Sequence, residues 1–198
     1  MSKRARRLTI FLVFFLMIGG GYALTRLSWK SSGTPKEFVD ARLKGALIAQ
    51  SIVNLSNQSV IDLAKISEFD SRGRFADALA LTADVIKQSQ QIRDEAVSLS
   101  GQVEIMTRSL SDIDSLEARQ AALESIANRL ALISRLINYS GYLGQLLDTL
   151  RGRFTGSAQT NQEVAALIDQ INGEVRAINS FNSQAGQAMD KFDKLVKQ

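Results

Sequence analysis

The chain has 198 residues, with 24 Lys and Arg against 20 Asp and Glu, one proline, and neither cysteine nor histidine. Disulfides, thiolate chemistry, zinc or haem ligation and His-based triads therefore lack their usual parts. The net charge of +4 resides in residues 1–30, which carry six basic groups and no acid; residues 31–198 hold 18 basic and 20 acidic groups, giving no basic face with which to displace counterions from a nucleic acid.

The chain opens with Lys3, Arg4, Arg6 and Arg7, followed by an uncharged run from Leu8 to Leu24. Leu8, Phe11, Phe14, Phe15, Leu16 and Ile18 form its apolar body. Tyr22 and Trp29 stand where interfacial aromatics sit. A bilayer core takes about 20 helical residues, and extension to Trp29 reaches that length. Residues 1–30 are thus expected to be a basic flank and a membrane anchor. The positive charges before the run place the N-terminus in the cytoplasm and the rest of the chain outside. The alternative is a signal peptide cleaved after Gly21-Tyr22-Ala23, with the remainder secreted. The run is longer than the roughly 7–15 residues of a signal core.

Residues 31–34 read as a linker, and 35–198 as an extracytoplasmic four-helix bundle. Thr34-Pro35-Lys36-Glu37 has the form of a capping box with proline in the first turn. Helix one is expected over 35–68, with a stripe of Ala41, Gly45, Ile48, Ile52, Leu55, Ser59, Leu63 and Ile66. Phe69 to Gly73 reads as a turn, with Asp70 and Ser71 as caps. Helix two is expected over 74–111. Its stripe runs Phe75, Ala78, Thr82, Val85, Ser89, Ile92, Ala96, Leu99, Val103, Met106, Leu110, Ile113. Steps of three and four sustained over five heptads imply coiled-coil-like packing.

Asp114 or Ser115 should cap helix three, expected over 116–150. This helix carries two seams. One is Leu123, Ile126, Leu130, Ile133, Ile137, Ser140, Gly144 and Leu147. The other is Leu132, Leu136, Tyr139, Leu143, Leu146 and Leu150. Two seams imply burial over a wide arc or a self-association surface. Arg151 to Thr160 reads as the longest break, and Thr160 to Glu163 as a second capping box. Helix four, over 161–197, shows Val164, Ile168, Ile171, Val175, Ile178, Asn182, Ala185, Met189, Phe192 and Val196. Asn182 is its single polar member, which either fixes register or faces an edge. Long helices and short turns give an all-α, antiparallel up-down-up-down bundle. The rival arrangement is a pair of helical hairpins that bury their faces only on dimerising.

Gly73-Arg74-Phe75-Ala76-Asp77-Ala78-Leu79 resembles the start of the second helix in a tetratricopeptide repeat. The resemblance covers seven residues. No second copy follows 34 residues on, as an array would require, so an ordinary helix turn is expected here. Asn-x-Ser patterns at Asn54, Asn57 and Asn138 fall inside predicted helices, where glycan acceptors are not expected.

Two regions stand out as candidate sites. The turns at 69–74 and 151–160 share the end of the bundle away from the anchor. They bring Arg72, Arg74, Arg151, Arg153 and Phe154 into a candidate docking tip for an acidic partner, with Glu68, Asp70 and Asp148 near enough to neutralise it. Tyr139, Gly141, Tyr142 and Gly144 mark either close helix packing or a small pocket, because each mid-helix glycine costs about 1 kcal/mol. No catalytic, cofactor or metal residues are identified. The functional expectation is a non-catalytic, single-pass envelope scaffold or docking module. It would contact lipid through its N-terminus and another protein, or a second copy of itself, through the bundle; nucleic acid is not an expected partner. The alternative is an extracytoplasmic ligand-binding sensor bundle.

Overall fold

The computed structural model describes residues 34–156 and 161–197. The anchor residues Leu8, Phe11, Phe14, Phe15, Leu16, Ile18, Tyr22 and Trp29, most of the linker, and Thr160 of the second capping box lie outside these. Among the described residues there are four α-helices: α1 Lys36–Ser71, α2 Phe75–Arg108, α3 Leu116–Phe154 and α4 Asn161–Leu195, with a 3-10 turn at Ser109–Asp112. Lengths of 34 to 39 residues make them about 51–58 Å long at 1.5 Å per residue. No strand occurs among the described residues. Among them, no helix is long and apolar enough to cross a membrane.

Each helix packs along its length against the next in sequence. Hydrogen bonds between neighbours fix an antiparallel register. Ser59 Oγ donates to Gln88 and Ser51 Oγ to Glu95 between α1 and α2. Ser89 Oγ donates to the Ser140 carbonyl between α2 and α3, and Ser125 Oγ to the Ala185 carbonyl between α3 and α4. A serine in a helix-facing slot tolerates burial when a carbonyl accepts its proton, and it lets two backbones approach. The α1–α4 side closes through long side chains: Phe38 and Phe192 lie 5.2 Å apart, and Arg42 grips both carboxylate oxygens of Asp193 at 2.6 and 2.8 Å.

In α2, every residue of the expected stripe is buried except Phe75. The α-helix ends at Arg108, however. Leu110 and Ile113 continue the buried row through the 3-10 turn and the following extended residue. Ser115 caps α3 as expected, accepting from the Ala118 backbone N–H at 3.2 Å.

Several boundaries move. The helix α1 begins at Lys36 with Pro35 as its N-cap residue, and Pro35 makes no side-chain cap bond. It runs on to Ser71, so Asp70 and Ser71 do not cap α2. The Ser71 hydroxyl instead donates back to the Glu68 carbonyl, and Gly73 makes the turn at φ +69°, a conformation that costs glycine little. In α3, Gly152 is helical and the helix continues to Phe154; the reversal waits for Gly156 at φ +91°. Asn182 is exposed, which is the edge-facing outcome.

The largest difference concerns the two seams of α3. Leu132, Leu136, Tyr139, Leu143 and Leu146 are buried, as are Ile126, Ile133, Ser140 and Leu147. Leu123 and Leu130, of a seam read either as part of a wide buried arc or as a self-association surface, are 52% and 50% exposed. A helix in a four-helix bundle turns less than half its circumference inward. The inward arc is filled by 125/126, 132/133, 139/140 and 146/147, and the row one step further round is left outside.

Candidate functional site

The distal tip assembles from the C-terminal ends of α1 and α3 and the start of α2. All five residues expected there are brought to this end, but three of the four arginines are engaged. Arg72 pairs with Glu68 at 2.8 Å, Arg74 with Asp77 at 2.7 Å and Arg153 with Asp70 at 3.3 Å. The Arg74 guanidinium also lies 4.5 Å over the Phe69 ring. Phe154 stacks on Phe75 at 6.2 Å, which explains how Phe75 remains half exposed at the end of an otherwise buried row. Three acids and two aromatic contacts therefore hold the tip to itself. Arg151 is exposed and makes no ion pair among the described residues. Exposed pairs of this kind contribute about 0–1 kcal/mol each, so the tip is a set of turn locks and carries little residual positive charge.

The Tyr139 region is polar and internal. Tyr139 is fully buried, and burial pushes its phenol well above the ordinary value against a hydrogen bond with Ser56 that lowers it. Around it are the buried Ser56, Ser59, Asp62, Ser89 and Ser140. Burial raises the pKa of the Asp62 carboxyl. Hydrogen bonds from Gln58, Gln88 and Lys65, with the charge of Lys65, outweigh that and hold it below its ordinary 3.8. Among the described residues neither glycine serves close packing: a Cβ placed on Gly141 or Gly144 meets nothing within 4 Å. Tyr142 is half-buried. The close approach occurs at Gly45 instead, where a Cβ would stand 3.3 Å from Leu99 Cδ1. The serines of the three Asn-x-Ser patterns, Ser56, Ser59 and Ser140, are all buried.

A groove of about 490 Å³, open to solvent, lies between α3 and α4, lined by Gln145, Asp148, Thr149, Glu163, Leu167 and Gln170. It does not include Tyr139, Gly141, Tyr142 or Gly144. No group of three metal-ligating side chains occurs among the described residues.

Two features were missed by sequence reasoning. The first is Arg129, which occupies an inward slot of α3 between buried Ser125 and Ile126 and buried Leu132 and Ile133. Its Nε is buried without a hydrogen-bond partner, and it makes no ion pair among the described residues. Burial, with the positive charge of Arg42, lowers its pKa to about 10. Heptad counting does not reveal it, because the apolar rows on either side are both strong. The second is an exposed apolar row on α3. Leu116, Leu123 and Leu130 recur every seven residues at 69, 52 and 50% exposure. Ile137 continues the row half-buried. The Ser89–Ser140 bond puts exposed Val97 of α2 level with about residue 132, beside this row.

Comparison with protein-family models, with curated proteins and with solved structures finds no match to the chain.

Proposed function

We propose that this chain is a non-catalytic, single-pass membrane-anchored rod that docks or scaffolds another component of the cell envelope, with its bundle on the extracytoplasmic side. The observation that carries the docking part is the exposed leucine row of α3. Large apolar side chains at one heptad position, all about half exposed or more, concentrate unburied oil on a single face. The anchor part is supported by the basic flank, the uncharged run from Leu8 to Leu24 and Trp29. The absence of any basic excess in residues 31–198 favours protein over nucleic acid as the partner.

The test has two arms. Expressed in a bacterium, the chain should sediment with membranes, resist carbonate extraction, and lose its bundle to protease added outside the inner membrane. Release by carbonate would remove the anchor. Leu123→Glu with Leu130→Glu should keep the helical spectrum while abolishing complexes trapped by crosslinking. Unchanged complexes would remove the docking face.

The groove between α3 and α4 supports a second reading, a sensor-type bundle that takes a small polar ligand beside Gln145, Asp148 and Gln170. A thermal-shift screen of amino acids and sugars tests it. A stabilising ligand whose effect vanishes with Asp148→Ala would favour it over docking, and no shift across the screen would reject it.

A further inference from the structure

The exposed row on α3 belongs to a longer seam. Leu116, Gln120, Leu123, Ala127, Leu130, Ser134, Ile137 and Gly141 follow one another in steps of four and three, the spacing of a coiled-coil contact line. Ile137 is half-buried and the other seven are exposed. The line spans about 38 Å of helix. Along it, large and small side chains alternate: four large aliphatic residues are interleaved with glutamine, alanine, serine and glycine.

The order of sizes has a specific consequence. Two copies of α3 laid antiparallel about a two-fold axis near residues 128 and 129 bring Leu116 against Gly141 of the second copy. Leu123 then meets Ser134, Leu130 meets Ala127 and Ile137 meets Gln120. Each of the three leucines finds a short side chain, and Ile137 meets the longer Gln120, so the backbones can approach most closely at the leucine layers. A parallel pair would stack leucine on leucine and alanine, serine and glycine on themselves, leaving alternate layers empty. The antiparallel two-fold gives a reason for Gly141 as well. Among the described residues nothing lies within 4 Å of its Cβ position, yet glycine there costs about 1 kcal/mol against alanine. A leucine arriving from outside would use the space.

We infer that the partner of this face is a second copy of the chain, joined through antiparallel α3 helices into a two-fold dimer. This rests on the docking reading above and names its occupant. The footprint of α3 alone, about 38 Å by 10 Å, is near half of the roughly 800 Å² per side of a standard interface. Val97 and the neighbouring helices widen it, and the pairing should be reversible and dependent on concentration. Two anchors in one bilayer would then require the paired rods to lie along its surface, since the N-termini of α1 leave from opposite ends.

The chain has no cysteine, so introduced thiols report alone. Full-length Leu123→Cys and Ser134→Cys variants, purified in detergent and checked by circular dichroism, are oxidised separately and as a mixture. The mixture should give a disulfide-linked species of twice 21.7 kDa. Leu123→Cys alone should give little, because its own thiols would lie about 16 Å apart along the axis. Leu123→Glu with Leu130→Glu, introduced into both variants, should remove the mixed product. A product from Leu123→Cys alone as strong as from the mixture would overturn the antiparallel pairing. No product in either case, with a monomeric mass at the highest concentration, would overturn the second copy. Photocrosslinkers at 116, 123 and 130 in cells separate the two proposals. Capture of a different protein alone discards the dimer and leaves the docking face, and capture of nothing discards both.

Discussion

Replacing Arg129 with methionine should make the protein more stable, which few substitutions at an inward position do. Arg129 lies in an inward slot without a hydrogen bond or ion pair among the described residues, and burial and the like charge of Arg42 both disfavour its charged form. The fall from the ordinary guanidinium value to about 10 corresponds to about 3 kcal/mol of disfavour toward the charged form, at 1.36 kcal/mol per pH unit. The side chain keeps partial contact with solvent, which reduces the figure to about 2 kcal/mol. Methionine retains the stem's packing and removes the charge, as in other replacements of buried ions by apolar groups. At about 2–4 °C per kcal/mol for a chain of this size, Arg129→Met should melt about 4–8 °C above the parent, measured by far-ultraviolet circular dichroism on the full chain in detergent. The gap has a defined pH course. Folded Arg129 loses its proton more readily than unfolded Arg129, so the cost of keeping it charged is present in full below pH 10 and fades in the window from about pH 10 up to the ordinary guanidinium value. The two melting points should therefore converge as the pH rises through that window. A variant that melts below the parent, or a gap unchanged at pH 11, would refute the reasoning.

Three further outcomes follow from burial, charge and backbone. Leu143→Ala, at a fully buried position, should lose about 3–4 kcal/mol and about 10 °C in melting point; a loss under 1 kcal/mol in denaturant titration would mean that α3 is not packed there. Asp62, held below its ordinary value, contributes stability that is present above pH 3.8 and is lost as the pH falls through its lower folded value; Asp62→Asn should therefore cost about 1 kcal/mol at pH 6 and close to nothing at pH 2, read by urea midpoints. Gly144→Ala and Gly101→Ala, where an added Cβ meets nothing within 4 Å, should each add about 0.5–1 kcal/mol; destabilisation at either would show that something else uses that space.

How much of this was legible in the sequence depends on what a periodic pattern encodes. In α2, one strong row with weak flanks left a single solution, and the buried side matches it from Ala78 to Ile113. In α3, two adjacent leucine-rich rows both satisfied the spacing. The pattern identifies rows but not which faces inward. Neighbouring helices decide that through contacts such as Ser89 to Ser140 and Ser125 to Ala185, and serine carries no hydrophobic signal. Whether Leu123 and Leu130 lay inside or formed a self-association surface was therefore left open, and the inward turn of Arg129 went unseen. Glycine misled in two ways: Gly152 stays helical although glycine often ends helices, and Gly45 makes the close approach that Gly141 and Gly144 were expected to make. At the tip the two turns meet, Arg153 with Asp70 and Phe154 with Phe75. The pairing of Arg74 with Asp77, three residues on, and of Arg153 with Asp70 from another helix was the part that needed the fold.

The most direct test of the four-helix arrangement is the distance between spin labels on the full chain, diluted in unlabelled protein, using its lack of native cysteine. Labels at Ser71 on α1 and Arg151 on α3, whose neighbourhood holds the Asp70–Arg153 pair, should lie within about 25 Å. Labels at Ser71 and Glu117, at opposite ends of helices about 50 Å long, should lie at about 50 Å. The reverse order, or a Ser71–Arg151 distance broad and centred beyond about 40 Å, would mean that the two hairpins do not close on one another.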